Sequence, residues 1–151
     1  MNFQRTIFHL FCAVCTALVC VSCIQTEYNV GTHNQDMMLY STEREIALGR
    51  NIAKEIDKEF EISNNPYDIE RVDTIGSAVA AVCDRQEISY YFSVIEKNPE
   101  GEGEKNAFSI PGGHIYIFKD LLDLFTDDEL AYVLAHEIGH VVSRHSMKRM
   151  Q

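Results

Sequence analysis

The run His136-Glu137-Ile138-Gly139-His140 puts two imidazoles and a carboxylate at a spacing with a chemical meaning. On an α-helix, His136 and His140 stand one turn apart and about 40° apart around the axis, so both can reach a single metal ion. Glu137 points into the adjacent sector, where a carboxylate can take the proton of a water that the metal activates. This is the HExxH pattern of zinc hydrolases, with Zn2+ as the implied ion, His136 and His140 as its ligands and Glu137 as general base. A catalytic zinc wants three protein ligands and one open position, and the motif supplies two.

The third ligand is not found nearby. An extension placing Gly and His three and six residues beyond the second motif histidine is excluded, because Ser143 and Ser146 stand there. His145 would lie about 140° round a continuous helix from His140 and cannot close the site from that helix. Glu129 would sit about 10 Å away along the axis and reads as a capping residue. A Glu from a later helix would need tens of residues after the motif, so the sequence reads as the N-terminal part of a catalytic domain.

The motif also needs a helix to carry it. Thr126-Asp127-Asp128-Glu129 has the form of a capping box, with acids in the first turn to meet the helix dipole. Leu130, Val133, Leu134, Ile138, Val141 and Val142 follow at helical spacing and form one apolar face. Glu137 falls within the angular range of that face. A carboxylate buried there wants a partner, because an unpaired charge is costly to bury.

The 151 residues have room for one modest domain, and 46% hydrophobic residues suit a globular core. A formal net charge of −10 argues against nucleic acid as a partner. Residues 1–22 read as an export signal, with Arg5 followed by an apolar run from Ile7 to Val21. The run ends in Cys20-Val21-Ser22-Cys23, similar to a bacterial lipobox. Lipidation of Cys23, ordinary cleavage and retention as an uncleaved anchor all stay open. Cys12, Cys15, Cys20 and Cys23 form a C-x2-C-x4-C-x2-C array, but it lies inside the apolar signal with no polar residues to orient thiolates, so it is not read as a metal site. Cys83 reads as a small buried hydrophobe.

Residues 23–40 show no sustained period and read as a tether, and residues 41–151 as the domain. Thr42-Glu43-Arg44-Glu45 is a second capping box opening a helix that carries Ile46, Gly49, Ile52, Ala53, Ile56 and Phe60. Asp68 opens another with Ile69, Val72, Ile75, Val79 and Val82 at three- and four-residue steps. Ile88 to Glu96 reads as a strand, Asn98 to Lys105 as a loop, and Ala107–Ile110 and His114–Phe118 as short strands about Pro111-Gly112-Gly113. His114, weighed as a ligand, reads instead as a strand residue exposed beside a cleft. The fold class is α+β: two packing helices, a small sheet and a central motif helix.

Asn106-Ala107-Phe108-Ser109-Ile110-Pro111-Gly112-Gly113, Ile115-Tyr116-Ile117, Leu121-Leu122 and Glu129 to His140 together resemble the HtpX and CAAX-prenyl-protease family of zinc metallopeptidases, most of all its exported BepA-like branch. The resemblance covers about residues 41–151. It implies a zincin-like gluzincin fold, zinc on His136 and His140, and water activation by Glu137. It also implies that the strand after Pro111-Gly112-Gly113 lies at the cleft edge, where an unfolded or extended polypeptide pairs with it. The family's third ligand, a Glu on a later helix, has no counterpart here. The expectation is an exported, periplasmic or membrane-anchored zinc endopeptidase acting on misfolded or misassembled envelope proteins. The alternatives are a catalytically incomplete fragment and a chaperone-like peptide-binding module.

Overall fold

In the computed structural model, residues 25–29, 34–38 and 40–150 are described. The export signal, the lipobox-like Cys23 and the four-cysteine array lie outside the described residues. Within the segment read as a tether, β1 (Gln25–Asn29) and β2 (Asn34–Met38) pair antiparallel as a sheet of their own.

Helix α1 spans Thr42–Glu59. Its N-cap is Ser41, whose hydroxyl accepts from the Arg44 amide. The capping box read at Thr42 therefore does not form: Ser41 caps, N3 is Arg44, and Glu45 lies in the buried interior instead. A short strand, β3 (Glu61–Ile62), leads to α2 (Pro66–Ala80). Here Asn65 caps and Pro66 occupies the first turn, where its missing N–H costs nothing. Asp68, expected to open the helix, is instead a buried residue of its first turn. The helix ends before Val82, which is largely exposed. Cys83 is half-buried, with its Sγ 3.2 Å from the Tyr90 hydroxyl.

The main sheet is formed by β3, β4 (Tyr91–Lys97), β5 (Ala107–Ile110) and β6 (His114–Phe118), in the order β3-β4-β6-β5. β6 runs parallel to β4 and antiparallel to β5. This corrects the expectation for the cleft edge: the strand after Pro111-Gly112-Gly113 is interior, and the edge strand is β5, which precedes the turn. The turn is a single 3-10 element in which Gly112 and Gly113 have φ of 77° and 87°, a region that favours glycine.

Successive side chains of β6 alternate between two cores. Ile115 and Ile117 join Val72, Val94, Leu130, Leu134 and Ile138 on the face covered by α2 and the motif helix. Tyr116 and Phe118 join Ile95 on the opposite face, with Ile56 of α1 and its C-cap Phe60 against them. A short α3 (Lys119–Leu122), the motif helix α4 (Asp127–Val142) and α5 (His145–Arg149) complete the chain. Among the described residues the class is α+β, with five helices and a small mixed four-stranded main sheet. Among the described residues, no helix is long and apolar enough to cross a membrane.

Candidate metal centre

The helix that carries the motif is fixed at both ends. At its start the capping box forms as expected: the Thr126 hydroxyl accepts from the Glu129 amide, and the Glu129 carboxylate accepts from the Thr126 amide. Arg71 of α2 braces the same end, bonding the Asp127 carboxylate and the carbonyls of Leu122 and Phe125.

At the other end, a buried ion cluster closes on the last turn. Arg85 and Glu45 are 2% and 1% exposed, so neither charge has water to solvate it. They form a fork-to-fork pair, with Nη1 at 2.9 Å from Oε1 and Nη2 at 2.8 Å from Oε2. Burial alone would lower the Arg85 pKa, but the carboxylates of Glu45 and Glu87 outweigh it, and the pKa is raised. Arg85 Nη1 also donates to the Val141 carbonyl near the end of α4. Glu45 Oε2 takes a second guanidinium, Arg144 Nε, at 3.0 Å. Its Oε1 accepts from the Gly112 amide in the 3-10 turn. Three segments far apart in sequence thus converge on one carboxylate.

Between these anchors stand the motif residues. His136 is exposed, His140 half-buried and Glu137 buried, and their ligand atoms all lie within 4.8 Å of one another. The two imidazole rings meet edge-on with centroids 4.6 Å apart. Two imidazoles and a carboxylate suit a borderline-soft divalent ion such as zinc. At this separation small rotamer changes gather the nitrogens round one ion, so the cluster can hold a metal.

Glu137, expected to need a partner if buried, has one: Ser109 Oγ of β5 donates to its Oε2 at 3.1 Å. Ser109 belongs to the Asn106–Gly113 run noted in the sequence, but its reach to the motif helix depends on the strand register. His114 lies elsewhere. It shares a sheet face with Tyr116 and Phe118, away from α4, and stacks on Tyr91 at a centroid distance of 4.7 Å. Its Nε2 is buried without a hydrogen bond. Burial lowers its pKa, Asp57 opposes this, and Arg50 adds to it.

His145 does not continue the motif helix, which stops at Val142. Arg144 takes the left-handed conformation, with φ 53° and ψ 35°, and turns the chain into α5. His145 then lies with its Nδ1 2.7 Å from Nδ1 of His140. It is not among the residues of the His136–Glu137–His140 cluster. Its pKa is lowered, first by burial and then by His140, Lys148 and Arg149.

Comparison with known proteins places this site in a family. Metalloprotease LoiP of Escherichia coli is 30% identical over 106 residues, covering 69% of this chain and 39% of that protein. The beta-barrel assembly-enhancing protease of Yersinia pestis is 27% identical over 113 residues, covering 74% and 22%. The mitochondrial metalloendopeptidase OMA1 of Schizosaccharomyces pombe is 46% identical over a shorter stretch of 46 residues, covering 30% and 14%. The chain therefore spans well under half the length of these curated relatives. The model of peptidase family M48 matches residues 66–151, which takes in α2, the main sheet from β4 onward and the motif helix. The match covers more than half of the sequence and contains the His136–Glu137–His140 cluster, and the chain belongs to peptidase family M48.

Proposed function

We propose that this chain carries the zinc-binding and proton-transfer residues of a metalloendopeptidase with a zincin-like domain, acting on misfolded or misassembled envelope proteins. The observation that carries the reading is the His136–Glu137–His140 cluster, with its acid buried and held by Ser109. Zinc, when bound, supplies polarisation of the scissile carbonyl and acidification of a water. His136 and His140 hold the ion through neutral imidazole nitrogens. Glu137 accepts the water's proton and later returns it to the leaving amine. The Ser109 hydroxyl anchors one carboxylate oxygen while the other stays a proton acceptor. The free side of β5 receives an extended peptide by strand addition, which lays its backbone beside Glu137.

The names of the relatives support the envelope setting, and so does the apolar segment of residues 1–22 followed by Cys23, the proposed site of a lipid anchor. A second reading is a peptide-binding module that holds unfolded strands without cutting them, for which β5 at the edge of the main sheet would serve equally.

Zinc titration of the full chain, with His140→Ala beside it, tests the metal site. One zinc per chain, lost in the variant, is expected; binding undiminished by His140→Ala would overturn the assignment. Incubation with an unfolded protein such as reduced casein separates the two functions. Cleavage abolished by Glu137→Gln establishes the peptidase, whereas capture that persists after chelation, with no cleavage, establishes the binding module.

A further inference from the structure

We infer that His145 is a positioning residue for His140: it accepts a hydrogen bond from Nδ1–H of His140 and so holds that imidazole in the tautomer that leaves the Nε2 lone pair free, the nitrogen that would bind a metal. The inference rests on the zinc-site reading above for its purpose, but not for its geometry. The two Nδ1 atoms are 2.7 Å apart and the rings are tilted with centroids 5.0 Å apart, which fits one N–H···N bond. A neutral imidazole has one donor and one acceptor, so the partners take opposite roles. A free neutral histidine side chain favours the proton on Nε2. With His145 in that ordinary form, its Nδ1 is the acceptor, and His140 is driven to the less common Nδ1–H form. Ligating histidines are ordinarily oriented in this way by a partner on the other ring nitrogen.

The fold builds this contact deliberately. Left-handed backbone is disfavoured at a non-glycine residue, and Arg144 accepts that conformation while its guanidinium is locked to buried Glu45. Met147, one turn further on, is 1% exposed and pins α5 to the domain. A continuation of α4 would carry His145 away from His140. The break brings it back.

The test is the tautomer itself, read in the metal-free full chain by long-range proton–nitrogen correlation of 15N-labelled histidines, with His140 assigned by its loss in His140→Ala. The wild-type chain should show Nδ1–H at His140. His145→Ala should shift His140 to Nε2–H, and His145→Asn should restore Nδ1–H, because Asn Oδ1 stands the same number of bonds from Cα as the imidazole Nδ1. His145 is exposed, so both variants should keep the wild-type melting temperature to within a few degrees. Zinc affinity should fall by roughly 10–100-fold in His145→Ala and recover in His145→Asn. His140 protonated on Nε2 in the wild type, or unmoved by His145→Ala, would overturn the inference. So would loss of zinc in His145→Ala as complete as in His140→Ala and not restored by Asn, which would make His145 a ligand. Nδ1–H at His140 that shifts in His145→Ala, in a protein whose wild type binds no zinc, would overturn the zinc reading and leave the His140–His145 bond standing.

Discussion

Ser109 Oγ and Glu137 Oε2 meet at 3.1 Å, joining the edge strand of the sheet to the middle of the motif helix. Hydrogen bonds to charged groups contribute about 1.5–3 kcal/mol. In Ser109→Ala the buried carboxylate loses the hydroxyl donor that β5 supplies. Peptide hydrolysis should fall by about tenfold or more, with zinc affinity near the wild-type value. Parallel measurement of turnover and zinc binding checks this; unchanged turnover would show that the bond does not position the base.

Glu45 stands between two buried guanidinium groups. Replacing it by Ala leaves Arg85 without its fork partner and Arg144 without its anchor, and breaking a buried pair costs about 3–5 kcal/mol. Urea unfolding of Glu45→Ala should show that loss, with the mid-point far below wild type. A change under about 1 kcal/mol would mean that the cluster is solvated or replaceable.

Two helical glycines should respond in opposite directions to alanine. A Cβ on Gly49 would fall 1.9 Å from the Pro111 carbonyl oxygen, so α1 would have to lift off the 3-10 turn. A Cβ on Gly139 meets nothing within 4 Å. Alanine is favoured over glycine inside a helix by about 1 kcal/mol. Gly139→Ala should therefore raise the melting temperature, and Gly49→Ala should lower it despite the same propensity gain.

His114 should make stability depend on pH in the mildly acidic range. Its folded pKa is lowered, chiefly by burial, so its contribution is present above the unfolded value of about 6.5 and is lost as pH falls through the folded value. Below 6.5 the unfolded chain binds a proton that the folded one resists. Phe at this position keeps a ring against Tyr91 and removes the titration. Thermal melts at pH 7.5 and 5.5 should show a smaller drop for His114→Phe than for wild type; an equal drop would assign the effect to other groups.

The helices and strands were legible where local rules act alone. The Thr126 capping box, the apolar face of α4 and the β5-turn-β6 segment all follow from short-range patterns. Adjacent hydroxyls at Ser41 and Thr42 blurred the start of α1, and the choice of Ser41 moved Glu45 from a cap to the core. Strand order is not encoded by periodicity, and the cleft-edge place that the resemblance implies for the strand after Pro111-Gly112-Gly113 falls instead to β5, with β6 interior. The proximity of His136, Glu137 and His140 needed only helix geometry. The Ser109 bond and the His145 contact needed, respectively, the sheet register and a left-handed turn at an arginine, for which the local sequence carries no glycine or asparagine signal.

The clasp around Glu45 also makes the motif helix answer to the start of the domain. Arg144 reaches back to the first helix, where its guanidinium also bonds Thr42, 102 positions earlier. Holding so long a loop closed costs conformational entropy, so the turn that sets His145 against His140 leans on contacts made by α1. A change that loosens the start of α1 is therefore felt at the far end of the motif helix.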